Sequence, residues 1–243
     1  MSSCCLKGFE WDGRPNGVEK TLNGQSYYVT GASQDVAILV VHDLYGWTFT
    51  NARLLADHYA AEVGATVYVP DFRGSELTIV VVSTAPCSRP PSSTTLPNGT
   101  NSTSRRFLRT KHQRIGAVGF CYGGWAVFQL GARSPDGSGG GGSPLVDCIS
   151  ATHPTFLTED EIRKVGVPVQ IVAPERDPMF TEELKAYAVA EIPKLGVPFD
   201  YQFFPGLEHG FAVRGNSEDE AEMKGMERAM RVTVAWFREW LLL

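Results

Sequence analysis

The chain has 243 residues, a formal net charge of −5, and 43% apolar against 20% charged residues. A chain of this length buries a sizeable core without disulfide bonds, and its apolar runs stay short of the roughly 18 to 20 residues of a membrane span. The acidic balance offers no basic surface for a polyphosphate backbone. We therefore expect a globular protein with no membrane or nucleic-acid partner.

The predicted elements alternate along the chain between short β-branched runs and amphipathic stretches. Strands are predicted at 25–30, 35–41, 65–69, 115–119, 145–150, 167–172 and 197–204, and helices at 51–62, 122–132, 158–165, 181–192 and from 217 onward. The run Val36–Val41 is continuously apolar, which is typical of a strand buried on both faces. This alternation predicts an α/β fold, with a mostly parallel sheet covered by helices on both faces, in one domain over 1–243.

Helix boundaries and faces follow from capping residues and apolar spacing. Capping boxes are predicted at Thr158 with Glu161 and at Ser217 with Glu220. The first helix has Leu54, Leu55, His58, Tyr59 and Ala61 at helical spacing. The expected apolar face of the last helix comprises Met223, Met226, Met230, Val234, Phe237 and Leu241.

Two stretches depart from the α/β pattern. Residues 134–144 are glycine-rich and predict a flexible surface loop between a helix and a strand. In 83–104, 18 of 22 residues are Ser, Thr, Pro, Asn or Gly. This composition lies where a parallel sheet needs a crossover helix, so we treat 75–112 as an atypical segment.

The five cysteines show no regular spacing, being Cys4, Cys5, Cys87, Cys121 and Cys148. Their number and spacing fit neither a disulfide framework nor a zinc site. The N-terminal residues lack the apolar region of a secretory signal. We therefore expect reduced thiols, a cytoplasmic location and no metal.

The sharpest local motif is Gly119-Phe120-Cys121-Tyr122-Gly123, between a predicted strand and a predicted helix. It matches the elbow that presents a nucleophile in a tight turn, with cysteine at the nucleophile's position. Glycines are needed two residues to either side because a Cβ there would collide with the neighbouring strand and helix. The helix N-terminus favours a thiolate. The structural alternative is a small buried cysteine in a tight turn.

A cysteine nucleophile needs a base and an acid that orients it, and α/β-hydrolases place these in the order nucleophile, acid, histidine. Two histidines follow Cys121, and both come after predicted strands: His209 is the candidate base and His153 its competitor. Asp177 and Glu175 are both candidates for the acid. Asp177 is favoured because the longer loop lets its carboxylate turn back toward the histidine.

The oxyanion hole is expected from two backbone amides at the same edge of the sheet. The first is that of Tyr122, directly after the nucleophile, and the second is that of Leu44, in the loop after the buried strand. Two amides aimed at a developing oxyanion can lower the barrier by a few kcal/mol each.

Together these motifs resemble the eukaryotic branch of the dienelactone hydrolase family, within the α/β-hydrolases. The resemblance spans 25–74 and 113–243. It rests on His42-Asp43-Leu44-Tyr45-Gly46, Val69-Pro70-Asp71-Phe72, Gly119 to Gly124, Asp177-Pro178 and His209-Gly210-Phe211.

The resemblance implies a triad in which Cys121 attacks, His209 moves the proton and Asp177 orients the imidazole. It implies hydrolysis of a cyclic enol-lactone through a thioester, without metal or organic cofactor. Asp43 stands where the family has an acidic residue facing the resting thiol, and Arg214 resembles an arginine that holds a substrate carboxylate. The expected partner is a small lactone or ester, and the expected state is a monomer or homodimer.

Two alternatives remain for the function. One is a thioesterase or broad carboxylesterase. The other is a binding or regulatory homologue with impaired catalysis, because a segment 75–112 without helical structure would remove one wall of the pocket.

Overall fold

The computed structural model describes residues 8–22, 24–72, 105–133 and 144–242. The Ser/Thr/Pro-rich stretch 83–104 and nearly all of the glycine-rich stretch 134–144 lie outside the described residues. Over the described ranges, none of the helices is long and apolar enough to cross a membrane.

An eight-stranded sheet forms the centre of the fold. Its strands are β1 (Val18–Leu22), β2 (Gln25–Thr30), β3 (Val36–Val41), β4 (Thr66–Pro70), β5 (Arg114–Phe120), β6 (Cys148–Thr152), β7 (Val169–Arg176) and β8 (Phe199–Glu208). The spatial order is β1-β2-β4-β3-β5-β6-β7-β8. Strands β4 to β8 and β3 run parallel, and β1 and β2 are antiparallel to their neighbours. This is the mostly parallel α/β sheet that the alternation of elements predicts.

Helices connect the parallel strands, because parallel pairing needs a crossover connection, usually a helix. They are α1 (Thr50–Val63), α2 (Arg105–Lys111), α3 (Tyr122–Leu130), α4 (Glu159–Lys164), α5 (Glu182–Glu191), α6 (Phe211–Arg214) and α7 (Glu220–Leu241), with a 3₁₀ turn at Ile192–Leu195. Apolar clusters cover both faces of the sheet. On one face, a Cβ at Gly116 of β5 would lie 2.7 Å from the ring of Phe237 in α7, so helix and strand pack very closely there.

The structure confirms the buried strand and changes other predictions: it shifts the bounds of one strand and adds an edge strand. Every residue of Val36–Val41 is buried. The predicted strand 145–150 lies instead at Cys148–Thr152. Strand β1 was not predicted, because its residues are mostly exposed and an edge strand carries no continuous apolar run. The predicted atypical segment 75–112 ends in helix α2, whose Leu108 is buried in the core.

The helix predictions are confirmed in part. Thr158 and Glu161 form the capping box of α4. The prediction for Ser217 is wrong, because the carboxylate of Asp219 caps α7 by accepting the N–H groups of Ala221 and Glu222.

The predicted helix faces also need correction. Met223 is exposed, and the buried stripe of α7 runs instead through Gly225, Met226, Ala229, Thr233, Val234, Trp236, Phe237 and Leu241. In α1, His58 and Ala61 are exposed, because the buried face is centred on Leu55, Tyr59 and Val63.

Candidate active site

The nucleophile elbow lies at the carboxyl end of β5, where parallel α/β sheets carry their sites. Cys121 stands between β5 and α3 with φ 58° and ψ −121°, a conformation that non-glycine residues rarely adopt. A Cβ at Gly119 would lie 2.0 Å from the carbonyl oxygen of Gly123, and one at Gly123 would lie 2.2 Å from that of Val41. Glycine is therefore required at both positions, as the motif predicts.

The pairing of β7 with β8 brings the candidate acid and the candidate base together. The register places Arg176 opposite Glu208, and the amide of His209 donates to the carbonyl of Arg176 at 3.1 Å. Asp177 and His209 therefore follow their strands side by side. Nδ1 of His209 donates to the carboxylate of Asp177 at 2.9 and 3.0 Å, and both side chains are fully buried.

Glu175, the other candidate for the acid, does not contact His209 and instead binds a backbone N–H. Its residue is exposed, and its carboxylate accepts the backbone N–H of Gly206 at 2.6 Å. Side chains alternate along a strand, so Glu175 and Asp177 point the same way only if the strand stays regular. The ladder is irregular between Pro174 and Arg176. The structure thus brings Asp177, and not Glu175, to the histidine.

His209 is held in its charged form. Burial lowers the pKa of His209, but the hydrogen-bonded carboxylate of Asp177 and the nearby sulfur of Cys121 outweigh this and raise the pKa to about 10. Nε2 of His209 meets ordinary hydrogen-bond geometry with none of the described residues, although it lies close enough to Cys121 for the sulfur to affect the pKa. Such contacts often tighten only when substrate is bound.

His153, the competing histidine, lies against the same site without joining the acid. Its Nδ1 accepts the backbone N–H of Cys121 at 3.2 Å, and its ring meets that of His209 edge-on at 4.9 Å. Burial, together with the charges of His209 and Arg214, holds the pKa of His153 well below its usual range. His153 is therefore a neutral imidazole packed against both Cys121 and His209.

Asp43 and Arg214 form a buried ion pair at the same edge of the sheet. Their Oδ2 and Nε atoms lie 2.7 Å apart, and each side chain is 1% exposed. Oδ1 of Asp43 also accepts the backbone N–H of Tyr45 at 3.0 Å. Burial raises the pKa of Asp43, and Arg214 and the N–H of Tyr45 partly offset that rise. Asp43 was expected to face the thiol, and its close partner in the structure is Arg214.

Of the two residues proposed for the oxyanion hole, Tyr122 directly follows Cys121 and Leu44 lies in the loop after β3. Tyr122 is the first residue of α3, where backbone N–H groups have no partner within the helix. Leu44 lies inside the turn closed by the hydrogen bond from the N–H of Gly46 to the carbonyl of Asp43. The hydroxyl of Tyr122 lies 3.0 Å from Nδ1 of His42, which ties the two loops together.

Thr155 is the residue at the site that the sequence did not reveal. Its Oγ1 lies 3.3 Å from Sγ of Cys121, and its backbone N–H donates to the carbonyl of Cys121 at 2.9 Å. The one sequence signal that could have found it is its position just after a parallel strand, which many polar residues share.

Comparisons with known proteins agree on one family. A sequence model of the dienelactone hydrolase family matches residues 25–241. The chain is 28% identical to hydrolase tropI of Talaromyces stipitatus, over 98% of this chain and 96% of that protein. It is also 28% identical to the carboxymethylenebutenolidase homolog of Mus musculus, over 88% and 87%. An esterase structure from Thermogutta terrifontis matches with a TM-score of 0.63 at 17% identity, over 92% and 96% of the two chains, which shows a shared α/β-hydrolase fold.

Proposed function

The chain belongs to the dienelactone hydrolase family of ester-hydrolysing enzymes, and we propose that it is a cysteine-dependent hydrolase of dienelactone-like lactones or small esters. The reaction proceeds through a thioester on Cys121. The observation that carries this proposal is the buried pair of Asp177 and His209, at 2.9 Å, beside a cysteine in the elbow conformation. A nucleophile, a base and a group that orients the base are the parts that acyl transfer needs.

In this proposal each residue of the triad has one task. In the resting site the thiol proton has already passed to Nε2 of His209, which leaves a thiolate beside an imidazolium, and the thiolate of Cys121 attacks the ester carbonyl. The leaving oxygen receives that proton as the C–O bond breaks. Water then attacks the thioester, with His209 as the base. Asp177 holds the imidazole by its Nδ1–H throughout and stabilises the imidazolium, which the raised pKa of His209 supports.

The backbone amides of Leu44 and Tyr122 are the proposed donors to the oxyanion. Tyr122 follows Cys121 at the carboxyl end of β5, and Leu44 lies in the loop at the carboxyl end of β3. Preorganised amides act on the charge that develops in the transition state, so they need no rearrangement during the reaction.

Arg214 is the proposed binder of a substrate carboxylate, and Asp43 is its partner in the resting site. A guanidinium suits bidentate capture of a carboxylate. Since the pair is almost completely buried, a carboxylate substrate would have to compete with Asp43 for Arg214. The presence of a guanidinium at the site supports a lactone acid over a neutral ester as the preferred substrate. A thioesterase or broad carboxylesterase is the second candidate within the same chemistry.

The remaining expectations stay proposals of the same kind. Cys121 and Cys148 are free thiols among the cysteines that the structure describes, and a cytoplasmic location stays a proposal. We also propose one domain over 1–243 and a monomeric or homodimeric protein.

The first experiment follows the loss of a dienelactone's ultraviolet absorbance with purified protein. Cys121→Ala should lower kcat by a factor of about 10³ or more, because it removes the nucleophile and leaves only binding and the oxyanion hole. Cys148→Ala is the matched control. Its thiol is buried in β6 and burial raises its pKa well above the usual range, so turnover per folded molecule should remain near that of the wild type.

Turnover by Cys121→Ala at the wild-type rate would contradict the cysteine mechanism. Turnover of neutral esters by the wild type, with no hydrolysis of the lactone, would favour the carboxylesterase candidate.

A further inference from the structure

The turn that follows β6 holds Cys121 by its backbone. The N–H of Cys121 lies 3.2 Å from both the carbonyl oxygen of Thr152 and Nδ1 of His153. The N–H of Thr155 donates to the carbonyl of Cys121 at 2.9 Å. His153 and Phe156 have φ of 38° and 65°, conformations that persist only where the surroundings enforce them. The turn is therefore a fixed frame around the nucleophile.

From this frame the hydroxyl of Thr155 faces the sulfur. Its Oγ1 lies 3.3 Å from Sγ of Cys121, and the residue is 2% exposed. Within the part of the chain that the structure describes, this hydroxyl has no other hydrogen-bond partner. A buried hydroxyl left without an acceptor costs free energy. The sulfur is the acceptor at hand, and a thiolate accepts more strongly than a thiol because the hydrogen bond is then charge-assisted.

We propose that Thr155 is a further catalytic residue, whose hydroxyl donates a hydrogen bond to the thiolate of Cys121 and stabilises it. This inference rests on the proposed function of the same site. It assigns to the sulfur a partner that the triad does not contain.

The hydroxyl acts at two points of the reaction and keeps its proton at both. Before attack, the thiol proton goes to Nε2 of His209, and Thr155 donates to the resulting thiolate. The S–C bond then forms and the C–O bond breaks, with the proton passing from His209 to the leaving oxygen. When water has attacked the thioester and given a proton to His209, the C–S bond breaks and its electron pair returns to the sulfur. Thr155 donates again to this leaving thiolate.

The charged and titratable groups around the sulfur do not replace this contact. They are His209, His153, Asp177, Asp43 and Arg214. His153 stays neutral and accepts from the backbone of Cys121, Asp177 bonds to the far side of His209, and Asp43 and Arg214 bond to each other. Among these groups His209 supplies the positive charge, and Thr155 adds the direct O–H donor.

The test measures the rate at which iodoacetamide alkylates Cys121 as a function of pH, with the site identified by mass spectrometry. Thr155→Val keeps the shape and removes the hydroxyl. At low pH, Cys121 in Thr155→Val should be alkylated about tenfold more slowly than in the wild type, or slower still, since a hydrogen bond to a charged group is lost. The midpoint of the profile should move up by about one pH unit or more, while the plateau at high pH should not fall, because a less stabilised thiolate is at least as nucleophilic.

Thr155→Ser is the matched control, since it keeps the hydroxyl and loses the methyl group, and its midpoint should stay near that of the wild type. Thr155→Ala also removes the hydroxyl and adds no new buried methyl group. It replaces Thr155→Val in the assay if the valine variant does not fold. Circular dichroism and thermal unfolding establish that each variant is native.

A profile of Thr155→Val that overlays the wild type would overturn the proposal. So would an equal fall in the serine and valine variants, which would assign the effect to packing, or a lower plateau with an unmoved midpoint, which would indicate a distorted elbow. The alkylation assay needs no ester. It therefore tests Thr155 even if the lactone is not hydrolysed, and loss of the proposed function would show separately in the Cys121→Ala comparison.

Discussion

Single residues at this site owe their charge states to burial as much as to their partners. His153 and His209 lie in edge-on contact, yet burial keeps the first neutral while Asp177 and Cys121 keep the second charged. Two titratable groups whose surroundings push their pKa values apart are typical of acid–base chemistry. The difference comes from the carboxylate of Asp177 and the sulfur of Cys121, which raise the pKa of His209 and not that of His153.

The pair of Asp43 and Arg214 gives the first prediction at the residue scale. Arg214→Met should lower the free energy of unfolding by about 3–5 kcal/mol, because it leaves a buried carboxylate without its partner. The double variant Asp43→Asn with Arg214→Met should be more stable than that single variant, since no uncompensated charge is left. Urea unfolding of both single variants and the double variant measures the coupling.

The same three variants test the role of Arg214 in binding. For a lactone that carries a carboxylate, KM should rise in both variants that lack Arg214, while a neutral ester with the same leaving group should be affected little. Additive losses of stability, or equal effects on the two substrates, would contradict the roles assigned to the pair.

At the scale of elements, the elbow depends on the close approach of β3, β5 and α3. A Cβ at Gly123 would lie 2.2 Å from a backbone oxygen of β3, which no side-chain movement can relieve. Gly123→Ala should therefore cost about 3 kcal/mol of stability or more and abolish most of the turnover, because Cys121 and the amide of Tyr122 both shift.

Gly196 provides the control for the conformational part of that cost. It lies in the turn before β8 with φ 70°, and a Cβ there would meet nothing within 4 Å. Gly196→Ala should cost about 1–2 kcal/mol from its left-handed backbone alone, with turnover per folded molecule unchanged. Urea unfolding and lactone hydrolysis check both variants, and equal behaviour of the two would contradict the steric argument.

The sequence predicted those parts of the fold and site whose signals are local. The elbow was recognisable because its glycines lie two residues from Cys121, and the sheet because Val36–Val41 is apolar throughout. Strand β1 was missed because its residues are exposed at an edge of the sheet. The cap of α7 was misplaced by two residues because Ser217 and Asp219 are both good capping residues.

The contacts that decide the chemistry were out of reach for a different reason. The choice between Glu175 and Asp177 depends on the register and irregularity of the β7–β8 pair. The contact of Thr155 with Cys121 joins residues on different elements, and the turn that brings them together depends on left-handed conformations at His153 and Phe156. Neither is expressed in the local pattern of residues.

At the scale of the whole molecule, the sheet gathers the candidate site from the ends of four strands. Cys121, Asp177 and His209 follow β5, β7 and β8 at one edge of the sheet, while β6, between β5 and β7, contributes His153 and Thr155 from its own end. Cys121 and His209 are far apart along the chain, so assembly of the candidate site requires the folded sheet. The free energy of unfolding of the whole molecule should therefore depend on the protonation of His209.

That dependence gives a prediction for unfolding as a function of pH. The pKa of His209 is raised from its ordinary value of 6.5 to about 10 in the folded protein. A raised pKa contributes stability that is fully present below 6.5 and is lost as the pH rises toward 10. Asp177→Asn removes the hydrogen-bonded carboxylate that raises this pKa. The thiol of Cys121 is the same in the wild type and in this variant, so the difference between them reports on Asp177. The stability gap between the wild type and Asp177→Asn should therefore be largest at about pH 6 and shrink by roughly pH 9.

Asp200→Asn is the matched control, because Asp200 accepts hydrogen bonds from the amide groups of Gln170 and Gln202, and neither amide titrates. Its gap to the wild type should stay constant over the same pH range. Urea unfolding at the two pH values measures both gaps. A constant gap for Asp177→Asn would mean that this carboxylate does not hold the imidazole charged, and the task of orienting a neutral His209 would then be all that remains for Asp177.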